Sequence, residues 1–282
     1  MNRVAIVTDS ASDLSPQLQQ QHGITVVPLI VRFGHETFLD GQMSLDDFWA
    51  KVHGGSAHPE TSQPSVGSYE EAYRTLIEQG YDVLSMAVTS KHSGTYNSAY
   101  AAAQAFPGQV AVFDTLSLSN VQGYQAIAAA RLAREGRSLQ DIVTVLEGIR
   151  ARTCVFIQLD TIEFLRRGGR ASQTMPALEK LVRFLSIKPL LSMPDGQLKP
   201  FGATRSLEKG MARIMEEIGK RMPAEQLIVL HTRLPEEADK FAQRLADQFG
   251  FATTDILITE AGPVLSSHAG PGVIAGAVVS RS

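Results

Sequence analysis

Val83-Leu84-Ser85-Met86-Ala87-Val88-Thr89-Ser90-Lys91-His92-Ser93-Gly94-Thr95-Tyr96-Asn97-Ser98-Ala99 is the stretch on which the fold turns. Residues 83–88 form a near-continuous apolar run, as a strand buried on both faces requires. An alanine-rich helix is expected over residues 97–106, so residues 90–99 connect a strand to a helix. Further apolar runs occur at residues 4–7, 24–31 and 110–113, and Pro28 inside the second argues for an edge or irregular strand. Helical patterns lie between and after them. Ser68 with Glu71 reads as a capping box, with Tyr69, Ala72, Tyr73, Leu76 and Ile77 on one face and Gly80 as the stop. Helices are expected over residues 121–134, ended by Gly136, and from Ser138, with Asp141 in its first turn.

The pattern changes near residue 152. Strands are expected at 153–159, 187–193, 198–203, 227–230 and 255–259, and helices at 162–167, 206–222 and 235–249. Two apolar runs flank Pro194-Asp195-Gly196-Gln197, a hairpin signal that means antiparallel pairing. A last helix is expected after Gly270, with Pro271 in its first turn and His268 at its amino end. The expected architecture is α/β with two domains. Residues 1–152 form a Rossmann-like parallel-sheet domain, and 153–282 an α+β domain with antiparallel strands.

Composition limits the function classes. The formal net charge of −3 supplies no basic field for a nucleic-acid backbone. No apolar stretch approaches membrane-spanning length, so no membrane span is expected. Cys154 is the single cysteine, which excludes an internal disulfide and favours a reducing compartment. Met1-Asn2-Arg3-Val4 carries no charged and apolar leader pattern, and a cytoplasmic location is the expectation.

Several catalytic signatures are missing. There is no P-loop and no G-x-S-x-G elbow, and His35-Glu36 lacks the second histidine of H-E-x-x-H. Ser206 and Lys209 match S-x-x-K without its companion motifs. No metal ligand set and no cofactor motif is found.

Four segments have the chemistry to hold an anion. Ser93, Gly94 and Thr95 lie at the carboxyl end of a strand, where α/β sheets bind ligands. The following helix offers free backbone N–H groups there, although Ser93 or Thr95 could equally serve as a plain cap. Thr61 and Ser62 lie between Pro59 and Pro64, which restrict the backbone, although a surface turn is the blander reading. His268 lies in a Gly- and Pro-rich loop and is a plausible anion partner or a structural histidine. Arg166-Arg167-Gly168-Gly169-Arg170, with Lys188 and Arg205, reads as solvated charge with a glycine cap or as a patch for phosphate. Thr8-Asp9-Ser10 suits helix capping ahead of Leu14 better than ligand binding.

Together these pieces resemble the DegV family of bacterial fatty-acid-binding proteins. The resemblance rests on Val7-Thr8-Asp9-Ser10 with Asp13-Leu14, Val27-Pro28-Leu29, Thr61-Ser62-Gln63-Pro64-Ser65 and Ser93-Gly94-Thr95-Tyr96. Gly168-Gly169-Arg170, Ile187-Lys188-Pro189, Thr204-Arg205 and His268-Ala269-Gly270-Pro271-Gly272 follow in the family order. It implies a FakB-like acyl carrier without catalysis of its own. Its bound ligand would be a long-chain fatty acid such as palmitate, stearate or oleate, with the lipid site between the domains. It further implies a partner, a DAK-like ATP-dependent fatty acid kinase that converts the carboxylate to an acyl phosphate, and transient membrane contact. Thr61, Ser93 and His268 would hold the carboxylate, beside Ser62, Gly94 and Thr95. Arg170 and Arg205 would serve the phosphorylated head or kinase docking. The chain departs from the family pattern at His92, where leucine is frequent, and at Asp114-Thr115, where Asp-Ser is frequent. Two other readings from the residues are a binder of a phosphorylated small molecule through residues 166–170 and a hydrolase with Ser93 as nucleophile and His268 as base.

Overall fold

A computed structural model describes residues 3–55, 57–170, 173–181 and 187–282. Met1 and Asn2 lie outside the described residues. The chain divides into two compact units. The first comprises Met1–Ala151 with Gly262–Val264, the second Arg152–Ala261 with Leu265–Ser282.

In the first unit the elements are β1 (Arg3–Asp9), α1 (Pro16–His22), β2 (Ile24–Val27), β3 (Ile30–Phe33), β4 (Glu36–Leu39), α2 (Leu45–His53) and β5 (Glu60–Ser62), followed by α3 (Val66–Glu78), β6 (Tyr81–Ala87), α4 (Thr95–Ala103), β7 (Val110–Asp114), α5 (Ser119–Arg134) and α6 (Leu139–Ala151). Strands β2-β1-β6-β7 form an all-parallel sheet in that order. Alternate residues of β1 serve opposite faces. Val7 packs with Val27, Val83, Tyr69, Tyr73, Ala99 and Phe106, the last four on or just after α3 and α4. Thr8 instead accepts a hydrogen bond on its hydroxyl from Gln122 Nε2 of α5 at 3.0 Å. Helices therefore cover both faces, which is why the strands read as continuous apolar runs.

Pro28 does more than mark an edge. It divides the run at 24–31 into β2, at the edge of the parallel sheet, and β3, the middle of a small antiparallel sheet β4-β3-β5. Helix α3 starts one turn before the expected capping box. Ser65 is its N-cap and accepts from Ser68 N at 3.0 Å. Ser68 is inside the helix, where its hydroxyl lies 2.8 Å from that of Ser65. Ser138 caps α6 as expected, accepting from Asp141 N at 3.1 Å.

The second unit contains β8 (Thr153–Gln158), α7 (Glu163–Gly168), α8 (Met175–Leu181), β9 (Lys188–Ser192), β10 (Lys199–Thr204), α9 (Leu207–Gly219), β11 (Ala224–His231), α10 (Pro235–Phe249), β12 (Leu257–Glu260), α11 (Pro263–Ala269) and β13 (Ile274–Ser280). The first two residues of α11 group with the first unit. Its sheet has the order β10-β9-β8-β13-β11-β12, antiparallel except for the β11–β12 pair. The β9–β10 hairpin turns through Asp195 (φ 50°) and Gly196 (φ 75°), positive values that account for the Asp-Gly signal.

The end of the chain corrects an expectation. No helix follows Gly270; residues 274–280 are β13, an interior strand paired with both β8 and β11. The helix lies earlier, as α11. Glycine at 276 has a packing reason. A Cβ there would sit 2.9–3.2 Å from Ile218, Ile214 and Phe241, which belong to α9 and α10 and to the core under this sheet.

Candidate functional site

In the parallel sheet the chain leaves β1 for β2 on one side, while β6 lies on the other. The carboxyl ends of β1 and β6 therefore flank a topological switch point, where α/β sheets hold ligands. Asp9 ends β1 and is fully buried. Its Oδ1 accepts from Ala11 N at 3.0 Å, which caps the tight turn at residues 10–12. Its Oδ2 accepts from Val88 N at 2.7 Å, the first residue after β6. Capping ahead of Leu14 is the role expected of Thr8-Asp9-Ser10, and Asp9 performs it for this turn, while the seven-residue helix α1 that follows is capped by Ser15.

Two carboxylates thus fix the loop that carries Ser93. Asp9 holds Val88, and Asp114 at the end of β7 accepts from Ser90 N at 3.3 Å and from Leu116 N at 3.0 Å. Thr115 keeps the hydroxyl of the expected Asp-Ser pair and donates it to the Ala87 carbonyl at 2.8 Å. Ser93 Oγ accepts from Thr95 N at 3.2 Å and lies 2.7 Å from Thr95 Oγ1. Gly94 is the N-cap position of α4 and has no side chain to cap it, so beyond the Thr95 N–H that Ser93 takes, the first turn of α4 gets no side-chain cap from Gly94. Ser93 thus takes the first N–H of α4, the capping role that the sequence also allows it.

Thr61 is on a strand, not in a surface turn. It pairs with Val31, and Ser62 with Ile30. The next residue joins the two motifs: a Cβ on Gly94 would lie 2.6 Å from Gln63 Nε2. The carboxamide of Gln63 therefore occupies the space over Gly94. Within the first unit the structure brings the segment of Thr61 and Ser62 against that of Ser93, Gly94 and Thr95.

In the second unit His268 is in the last turn of α11, not at a helix amino end. This reverses the electrostatic expectation. The carboxyl end of a helix carries the negative end of the dipole and favours a cation. A Cβ on Gly168 would lie 2.3 Å from His268 Nδ1, so the imidazole rests against the Gly168-Gly169 turn, with Arg170 two residues on. Gly169 is the left-handed cap of α7 (φ 66°). Arg166 and Arg167 of that turn both engage Glu163, at 2.5 and 2.6 Å, and Arg167 above all holds its carboxyl below the usual range. Lys188 pairs with Asp160, and Arg205 stands exposed on the β10–α9 connection. Ser206 is the N-cap of α9, accepting from Lys209 N at 3.3 Å, so Ser206 has a capping role in the S-x-x-K match. Among the described residues no group of three or more His, Cys, Asp or Glu is placed to hold a metal ion, and no helix is long and apolar enough to cross a membrane.

Two further carboxylates, Asp13 and Asp40, lie in the first unit. Asp13 Oδ2 accepts from Ser119 Oγ at 2.5 Å and Oδ1 from Gly262 N at 3.0 Å. Asp40 accepts from Ser10 Oγ and from the N–H groups of Gly41 and Val264. Burial, reinforced by Asp40 and Asp9, pushes the Asp13 carboxyl up to about 8, and burial pushes Asp9 and Asp40 up to about 6. An acid whose folded value exceeds its unfolded value of 3.8 contributes most stability below that pH and loses it as pH rises through the folded value. Asp13→Asn keeps an acceptor for Gly262 N but has no charge to bury. Its melting temperature is therefore expected to exceed that of the wild type by an amount that grows from pH 4 to pH 8, by several degrees at the top. A gap independent of pH in thermal melts contradicts this.

Comparison with known proteins agrees with this fold. Residues 3–281 match the family model described as "Uncharacterised protein, DegV family COG1307". The chain is 33% identical over 282 residues to a DegV domain-containing protein of Streptomyces coelicolor, covering 99% of each. A solved DegV family protein of Thermus thermophilus, described by its fatty acid binding, aligns with TM-score 0.91 at 32% identity over 99% of this chain and 100% of that one. A stearic acid-binding protein of Eubacterium ventriosum aligns with TM-score 0.86 at 26% identity, over 99% and 98%. A parallel sheet with its switch point at Asp9 and Val88, a mixed second sheet and a match from end to end leave one assignment: the chain belongs to the DegV family.

Proposed function

We propose that the protein binds one long-chain fatty acid such as palmitate, stearate or oleate. Its carboxylate is held by Thr61, Ser93 and His268, with Ser62, Gly94 and Thr95 shaping the headgroup end. The observation that carries this reading is the packing of Gln63 over Gly94, which makes one polar cluster of two hydroxyl-bearing segments at the amino end of α4. An ionised carboxylate cannot be buried without such partners. A tail of about 14 methylenes supplies on the order of 11 kcal/mol gross at about 0.8 kcal/mol each, reduced by the ordering of the chain. Binding to the related Thermus and Eubacterium proteins supports the ligand class.

The protein acts as a carrier in the cytoplasm, touching membranes transiently. It presents the acid to a separate ATP-dependent kinase of the DAK-like type, which phosphorylates the carboxylate to an acyl phosphate. Arg170 and Arg205 serve the phosphorylated head or the kinase. Ser93 in this reading is a hydrogen-bond donor and no nucleophile, in keeping with its bonding to Thr95.

Ser93→Ala and His268→Ala are each expected to weaken palmitate binding by about tenfold or more, since a hydrogen bond to a charged group contributes about 1.5–3 kcal/mol. Titration of delipidated protein with palmitate reads this. Unchanged affinity in both variants overturns the assigned headgroup site.

A further inference from the structure

We propose that Asp13 and Asp40 are positioning residues for the fatty-acid headgroup, acting as an acceptor clamp on the backbone N–H groups of Gly262 and Val264 at the start of α11. The inference rests on the proposed role of His268. Pro263 can donate no hydrogen bond, so Gly262 and Val264 are the two N–H groups flanking it, and each is taken by a carboxylate. His268 is the sixth residue of the same seven-residue helix. A helix this short is nearly rigid, so whatever fixes its first turn fixes the place and direction of His268.

The clamp is itself held firmly. Asp13 has left-handed backbone (φ 50°), and so does its hydrogen-bond partner Ser119 (φ 51°). Two non-glycine residues in that region persist only where the surroundings over-determine them. Here the surroundings are the Asp13–Ser119 bond, the Asp13 N to Ser10 O bond of 3.1 Å, and the close approach of Gly262, where a Cβ would lie 2.8 Å from Asp13 Oδ1. Ser10 in turn donates to Asp40 and accepts from Leu29 N at 3.0 Å, which ties the two carboxylates to one turn.

The test compares palmitate with 1-hexadecanol, which has the same tail without the carboxylate, on delipidated full-length protein. Asp13→Ala is expected to weaken palmitate about tenfold and hexadecanol less than twofold. Asp13→Asn keeps an acceptor for Gly262 N and is expected to restore palmitate binding to within about threefold of the wild type. Asp40→Ala is expected to act in the same direction as Asp13→Ala, and carries the test if that variant does not fold. Equal loss for acid and alcohol, or no rescue by Asp13→Asn, overturns the clamp. A wild-type protein that does not prefer palmitate to hexadecanol overturns the headgroup reading itself, and the clamp with it.

Discussion

Gly210→Ala is expected to destabilise the second unit by about 3 kcal/mol. The added Cβ would lie 1.8 Å from Oε1 of Gln158, which is fully buried at the end of β8. Gln158 has little room to yield, because its Nε2 donates to Thr204 Oγ1 at 3.3 Å and to the Ser206 carbonyl at 3.2 Å. Moving it breaks both bonds, at about 1 kcal/mol each, and overpacking adds about 1–3 kcal/mol. The two bonds also fix the turn from β10 into α9. Hydrogen exchange of the β8 and α9 amides under native conditions reads the loss, and protection equal to the wild type contradicts it.

Asp9→Asn is expected to cost about 3 kcal/mol even though it removes a buried charge with a pKa pushed up to about 6. Each oxygen of Asp9 accepts a backbone N–H, from Ala11 and from Val88. Asparagine replaces one oxygen with an NH₂ group, so a donor must face a donor inside the sheet. An unsatisfied buried donor costs about 1–3 kcal/mol, and here two arise together. The damage falls on the loop from Val88 to Gly94, so palmitate affinity should fall with stability. Urea unfolding with palmitate titration checks both, and a variant as stable as the wild type with unchanged affinity contradicts the role given to Asp9.

These two residues also mark what can be read from the chain alone. The parallel sheet is legible because burial on both faces writes itself as apolar runs, and the Asp-Gly turn because positive φ at Asp195 and Gly196 limits the residue types. The Asp9–Val88 bond spans 79 positions and leaves no local trace. The three-residue strand of Thr61 is too short to show alternation, so a turn was expected. The last strand reads as a helix because Pro271 suits a first helical turn, and Gly276, small for close packing by α9 and α10, adds no apolar side chain to mark a strand. With the helix at Pro263–Ala269 instead, His268 stands at the carboxyl end and the dipole it feels has the opposite sign. The hydroxyl, histidine and arginine segments are legible as residue types in the order of the family motifs. The contacts that join them, Gln63 over Gly94 and His268 against Gly168, come from glycines whose reason is the neighbour they admit.

Native mass spectrometry of freshly purified protein, paired with analysis of its solvent extract, tests the central claim most directly. The account predicts one fatty acid per chain, with a tail of about 14–18 carbons to match the burial needed for retention. Protein that carries no lipid and takes up neither palmitate nor oleate when these are added would contradict it.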